Sequence, residues 1–190
     1  YFVNEPFINV NLISDNIYQR DLKYNIEEQL IEQLQYVISK NINDETKFID
    51  IPLDFKNNVK NIIFVLEKNS NIKNKNYNIY SSDNINPVKS ANIYLNNNQL
   101  LYNQDNIILN NLNYFKSDFF TYNTGINIIN FQLNNNINNP NGNLNFLKLN
   151  NVFLRVTFND NIFKNNDYGN IYVFAESYNI LKFISGISNL

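Results

Sequence analysis

Chemistry in a protein needs side chains that attack, carry a proton or hold a metal, and this chain offers few. It has no Cys and no His. That excludes a disulfide, a Cys/His zinc or iron–sulfur site, a Ser-His-Asp triad and a Cys-His dyad. Its glycines, Gly125, Gly142, Gly169 and Gly186, stand too far apart to write a P-loop or a G-x-G-x-x-G turn. What remains is oxygen chemistry. Glu27, Glu28 and Glu32 cluster, but a glycosidase needs two carboxylates facing each other at ~5–9 Å, and no convergent partner is identifiable. They read as solvated or salt-bridged carboxylates. Asp44 with Glu45, and Asp160 with Asp167, could offer oxygen to a hard cation, yet neither pair has EF-hand spacing. Tyr77, Tyr80 and Asp83 are the only hint of a sugar-stacking platform. No catalytic, cofactor-binding or metal-binding residue is assigned, no cofactor is expected, and the chain reads as a non-enzyme.

The net charge of -2 argues against a nucleic-acid surface. The longest basic stretch, Lys68 to Lys75 (KNSNIKNK), has three Lys, no Arg and no aromatic, and reads as a solvated loop. No apolar run approaches the ~20 residues that span a bilayer, and no signal-peptide pattern opens the sequence. Asn fills about a quarter of the chain, beside abundant Ile, Lys, Tyr and Phe. All of these have AT-rich codons, so genome bias explains them better than a prion-like tract, because apolar residues interrupt the Asn throughout. No Asn-x-Ser/Thr sequon occurs. With the lack of Cys, this fits synthesis in a host cytoplasm. Met is missing even at position 1, which suggests a piece of a longer polypeptide.

The apolar segments are short, β-branched or aromatic, and bounded by Asn, Asp, Gly or Pro, which predicts strands. They are residues 7–13, 48–55, 61–67, 91–95, 99–102, 126–133, 152–158 and 171–175. Alternation is clearest in Ile49-Asp50-Ile51-Pro52-Leu53-Asp54-Phe55, and Pro52, with no N–H to donate, belongs at an edge or a bulge. Residues 26–38 are ambiguous. Ile26, Leu30, Leu34 and Ile38 recur every four residues, and propensity favours a helix over a strand. A second helix is expected over 106–115, with Ile107, Ile108, Leu112 and Phe115 on one face and Asp105 as cap. Asn139-Pro140-Asn141-Gly142 is a turn signal, placed to reverse the chain between the strands at 126–133 and 152–158. Connections 56–60 and 96–98 are short, while 68–90 and 103–123 are long. In an antiparallel array the long ones then share one end. Eight short strands so connected make an all-β antiparallel sandwich of jelly-roll type.

The order of these segments resembles a known family. Tyr18-Gln19-Arg20, followed by Glu28-Gln29-Leu30-Ile31-Glu32-Gln33-Leu34-Gln35, is similar to the acidic-Arg and E-x-L-I-E-Q-x-Q stretch of the major capsid proteins of nucleocytoplasmic large DNA viruses. Ile51-Pro52-Leu53 through Val59-Lys60-Asn61-Ile62-Ile63-Phe64-Val65 resembles the family's hairpin ending in an aromatic-Val strand. Tyr114-Phe115 and then Asn139 to Phe146 resemble its P-x-G-x-x-N-F turn. Tyr178-Asn179-Ile180-Leu181-Lys182-Phe183-Ile184-Ser185-Gly186 resembles its C-terminal signature, with Lys182 in place of an Arg.

The resemblance implies several things. Residues 1–190 would be a single jelly roll, the second barrel of a double jelly-roll protein. Residues 28–37 would be its first strand, against the helix preference, preceded by a helical turn near 18–24. Loops 68–90 and 103–123 would be the outward-facing DE and FG loops, the latter holding the short helix. The function implied is structural: a homotrimer forming a pseudo-hexagonal capsomer of an icosahedral virion. Its partners would be neighbouring capsomers and minor capsid proteins, with contact to an internal membrane and none to nucleic acid. The rival readings are an internal scaffold of the same fold and a carbohydrate-binding jelly-roll module.

Overall fold

The computed structural model describes residues 26–95, 99–112, 124–133, 141–163, 167–184 and 187–189. The strand expected at 7–13 and the helical turn near 18–24 lie outside the described residues. Ten strands are described: β1 Ile26–Ile42, β2 Phe48–Pro52, β3 Asn58–Lys68, β4 Val88–Leu95, β5 Gln99–Asp105, β6 Asn127–Asn130, β7 Leu144–Asn145, β8 Phe153–Phe158, β9 Gly169–Ile184 and β10 Ile187–Asn189. They form two sheets. One runs β1-β9-β3-β6, with β10 beside β9 and β7 beside β3; the other runs β2-β8-β4-β5. Every pairing is antiparallel. If the two minor strands β7 and β10 are set aside and the rest are lettered B to I, the sheets read B-I-D-G and C-H-E-F. That is the jelly-roll order. Seven of the strands expected from the apolar segments are recognisable, the one at 7–13 lies outside the described residues, and the first strand implied by the resemblance, 28–37, falls within β1.

Residues 26–42 form the longest strand, not a helix. The four-residue spacing of Ile26, Leu30, Leu34 and Ile38 is common to one helical face and one strand face, because four is a multiple of two. Continuous pairing with β9, from Ile26 opposite Ile184 to Ser39 opposite Ile171, outweighs the helical propensity. Around 106–115 a helical turn does form, with π geometry at Ile108–Leu112. Asp105 caps it as expected, its Oδ1 accepting the N–H groups of Ile107 and Ile108 at 3.1 Å each. The expected face is corrected: Leu109 is buried and Ile107 is exposed. Phe115 lies outside the described residues.

The core lies between the sheets. On β8, Leu154, Val156 and Phe158 point inward, with Val152 just before them. They face Ile62, Phe64, Leu66, Ile171, Val173 and Ala175 of the opposite sheet. Alternation in 49–55 holds past the end of β2, since Ile51, Leu53 and Phe55 are all buried. Pro52 closes β2, an edge strand, where its missing donor costs no ladder bond. The ends of β1, β3, β5 and β8 and the starts of β2, β4, β6 and β9 lie at one end of the sandwich, as the register of Ile42 and Lys68 with Gly169, of Ser90 with Asp105 and of Val88 with Phe158, and the Asn86–Asn127 bond between the sheets, require. The stretch 68–75 is not all loop: Lys68 ends β3 and Asn69–Lys73 form a helix, α1.

The turn signal at 139–142 is half described. Gly142 has φ +77°, and a Cβ there would strike the Phe131 carbonyl oxygen. The chain does not pass from it directly to the facing sheet. It first adds β7 to β3 and makes a 3-10 turn at Phe146–Lys148, and only then enters β8.

Candidate assembly surfaces

The inner and outer faces of β1 are filled in an unusual way. Its inward positions mix Ile31 and Val37, the latter packed on the core, with Gln33, Gln35 and Ser39, while Leu30, Leu34, Tyr36 and Ile38 are exposed on the outer face. The two inward glutamines are bonded. Gln35 donates from Nε2 to the Lys56 carbonyl at 2.8 Å and to Ser177 Oγ at 2.9 Å, and its Oε1 accepts the Lys56 N–H at 2.8 Å. Gln33 Oε1 accepts from Asn57 Nδ2 and Asn179 Nδ2. Leu34 is 50% exposed and Tyr36 61%. Bulky apolar groups left in water on a regular strand mark a contact surface.

On β9 the same outer face continues. Ile180 is exposed opposite Leu30, and the Phe174 ring lies 6.3 Å from that of Tyr36. Charged rows separate the apolar ones. Lys182 bonds Glu28 at 2.5 Å, and Lys60 reaches Glu32 at 2.6 Å and Glu176 at 3.2 Å. Burial pulls the Lys60 pKa down, but the bond to Glu32 and the charges of Glu176 and Glu32 outweigh it and hold it above the usual lysine value.

The outer face of the four-stranded sheet carries a different cluster. Arg155 forks onto Asp50 with two bonds of 2.7 Å. Its guanidinium lies 4.9 Å from the Phe48 ring centroid, 5.1 Å from Tyr94 and 5.8 Å from Phe153. Tyr94 and Phe153 stack at 5.1 Å. The hydrogen bond to Asp50 raises the Arg155 pKa further, so the charge is permanent. Arg and aromatic residues together are typical of interface centres.

The third surface is the loop end, held by buried amides. Asn86 Nδ2 donates to Asn127 Oδ1 at 2.7 Å, and Asn127 Nδ2 donates to the Gly125 carbonyl at 3.0 Å. Asn110 Oδ1 accepts the Gly125 N–H at 3.3 Å, and Asn159 Nδ2 donates to the Asn86 carbonyl at 2.8 Å. Gly125 has φ +100° and sits against the Tyr80 carbonyl, where a Cβ would come within 2.6 Å. Three long connections are thereby clasped together. Composition hid this feature, since nothing separates these Asn from the many others.

The carboxylates singled out by sequence do not converge. Glu28 and Glu32 share the outer face of β1, each bonded to a lysine. The Glu27 backbone pairs with Phe183. Asp44 and Glu45 are exposed in the β1–β2 turn, and Asp160 is exposed after β8. Asp167 accepts the Ser70 N–H at 3.2 Å. Among the described residues no group of three or more metal-ligating side chains occurs. Tyr77 is exposed, whereas Tyr80 is partly buried, which together with the Glu67 charge raises its pKa. Asp83 sits at positive φ in a tight turn. A groove of about 380 Å³ runs beside it, lined by Lys68, Ser82 and Asp167 among others. These three groups are engaged within the protein: Lys68 Nζ donates to Ser82 Oγ, which donates to the Ile162 carbonyl.

The family model described as large eukaryotic DNA virus major capsid protein matches residues 19–189. The chain belongs to that family, whose members are components of the virion capsid and whose fold is structural rather than enzymatic. Solved structures agree on the fold. The crystal structure of PBCV-1 VP54, fitted into a reconstruction of the virophage Sputnik, matches with TM-score 0.75 at 18% identity, covering 93% of this chain and 54% of that one. The quasi-atomic model of the PBCV-1 virus capsid gives 0.73 at 19% identity with the same coverage. The Faustovirus major capsid protein gives 0.58 at 13%, covering 87% of this chain and 35% of that one. The chain thus spans about half the length of the PBCV-1 proteins it matches. No curated protein sequence matches it.

Proposed function

We propose that this jelly roll is the second barrel of a double jelly-roll major capsid protein, which trimerises into a pseudo-hexagonal capsomer of an icosahedral virion. Two barrels per chain and three chains give six barrels, which tile a hexagonal lattice. The observation that carries the reading is the outer face of β1, where Leu30, Leu34, Tyr36 and Ile38 are left exposed. The Arg155 cluster gives the opposite face of the sandwich a second surface. Different contact faces on opposite sides suit a heterologous contact that closes into a ring. An obligate interface of that kind buries on the order of 2,000 Å² or more. The clasped loops project from one end, clear of both side faces. Partners are other copies of the chain, neighbouring capsomers and minor capsid proteins, with an internal membrane as a further contact and no role for nucleic acid.

The test is the oligomeric state of the full-length protein by light scattering. A trimer is expected for the natural sequence, and a monomer for the Leu34→Glu, Tyr36→Glu double variant. A natural protein that stays monomeric overturns the reading.

A further inference from the structure

Asn141-Gly142 is the chain's only Asn-Gly pair. Such a pair is chemically labile. The Gly nitrogen attacks the Asn side-chain carbon Cγ, a new C–N bond closes a five-membered succinimide, and ammonia leaves with the side-chain nitrogen. Water then opens the ring at one carbonyl or the other, giving aspartate or isoaspartate. No oxidant or reductant is needed. Glycine suits the attack because it has no side chain to hinder the nitrogen.

Ring closure demands one geometry. Cγ must rotate against the Gly142 nitrogen, which puts the Asn141 main-chain oxygen and Oδ1 on either side of the Gly142 N–Cα bond. In this fold the two oxygens are instead held by one donor. The Leu133 N–H is 3.2 Å from Asn141 Oδ1 and 3.2 Å from the Asn141 carbonyl oxygen. A single N–H reaches both only when Cγ is turned toward the carbonyl oxygen and away from the Gly142 nitrogen. We propose that Asn141 is a latent deamidation site locked by the Leu133 N–H, modified only when the clasp between 131–133 and 141–142 opens.

Modification is one-way in its structural effect. Isoaspartate adds a carbon to the main chain beside Gly142, which already lies against the Phe131 carbonyl with no room for a Cβ. The clasp cannot close again in its old register. Each modified copy is therefore a record that the turn once opened.

The experiment follows deamidation of the full-length protein by peptide mass mapping, at slightly alkaline pH, in buffer and in denaturing urea. In urea, Asn141 should be the fastest of all the Asn to gain the mass difference between amide and acid. In the folded protein its rate should fall at least about tenfold, equivalent to a local opening free energy of about 1.4 kcal/mol or more. Leu133→Pro removes the donor and sets its ring Cδ where the N–H pointed, between the two Asn141 oxygens, so it forces the clasp open, while the Leu133 side chain itself is 81% exposed. That variant should modify Asn141 at close to the urea rate while its circular dichroism stays native. Equal rates for the natural protein in buffer and urea overturn the proposal, as does a folded Leu133→Pro protein that keeps the slow rate. If Leu133→Pro does not fold, the buffer-to-urea ratio of the natural protein alone decides.

Discussion

Gly142 and Asn127 show how much a single position can hold. Gly142 needs positive φ and has no space for a Cβ, so Gly142→Val should cost roughly 1–3 kcal/mol in denaturant unfolding. Asn74→Val, at an exposed position after α1, should cost within about 0.5 kcal/mol. Equal losses would mean that the turn is not under strain. Asn127→Leu keeps the branched shape of the side chain but leaves the Asn86 amide and the Gly125 carbonyl buried without their partner. A loss of about 1–3 kcal/mol is expected, read from the same unfolding curves. Lys60 makes a pH prediction. Its pKa is raised in the folded state, so the native protein holds this proton more tightly than the unfolded chain. The stabilisation is fully present below the unfolded value and is lost as pH rises through the folded one. Tyr172, raised by burial and by Glu67, acts in the same direction. Stability should fall above about pH 10, and Lys60→Met should flatten part of that slope in urea midpoints measured across the range.

Among the elements, β1 separates what sequence could and could not tell. Its even positions hold Leu30, Leu34, Tyr36 and Ile38 on the outer face. Glutamate at Leu34 and Tyr36 should therefore change the stability of the isolated subunit by only about 0.5 kcal/mol each. The same change inside, at Leu154 or Val156, should prevent folding. Thermal melts of the two double variants would distinguish these outcomes. Period counting alone left helix and strand unresolved here, since a four-residue repeat satisfies both. The order of motifs resembling the capsid family tipped the choice to strand. It said nothing of which face would be dry, because that depends on β9 and on Gln35 spanning the Lys56 backbone. By contrast β8 was fully legible: four apolar residues at period two, bounded by Asn, can face only one core. The Arg155 cluster was not legible. Its members, at positions 48, 50, 94, 153 and 155, meet only through the pairing of β2 and β4 with β8.

At the scale of the whole molecule, connection lengths carried only part of the topology. The connections after β3, β5 and β8 are bound at one end by Asn86, Asn110, Asn127 and Asn159, but the short 43–47 lies at that same end and the long route 131–152 from β6 to β8 lies at the other. That binding had no sequence signature, since an amide's partner is set by the fold and not by its neighbours in the chain. Among the described residues no cluster of ligands calls for a cation, so a chelator should leave the melting temperature of the full-length protein unchanged. A drop of several degrees would reveal a site among residues not described here.

The amide clasp has a consequence for how such a subunit can change over time. Residues 73–79 are exposed beyond it, and the side faces that would meet neighbours lie elsewhere. A subunit built this way separates its tile from its ornament. The tip can lengthen, shorten or alter its chemistry while the sheets and their side faces stay fixed.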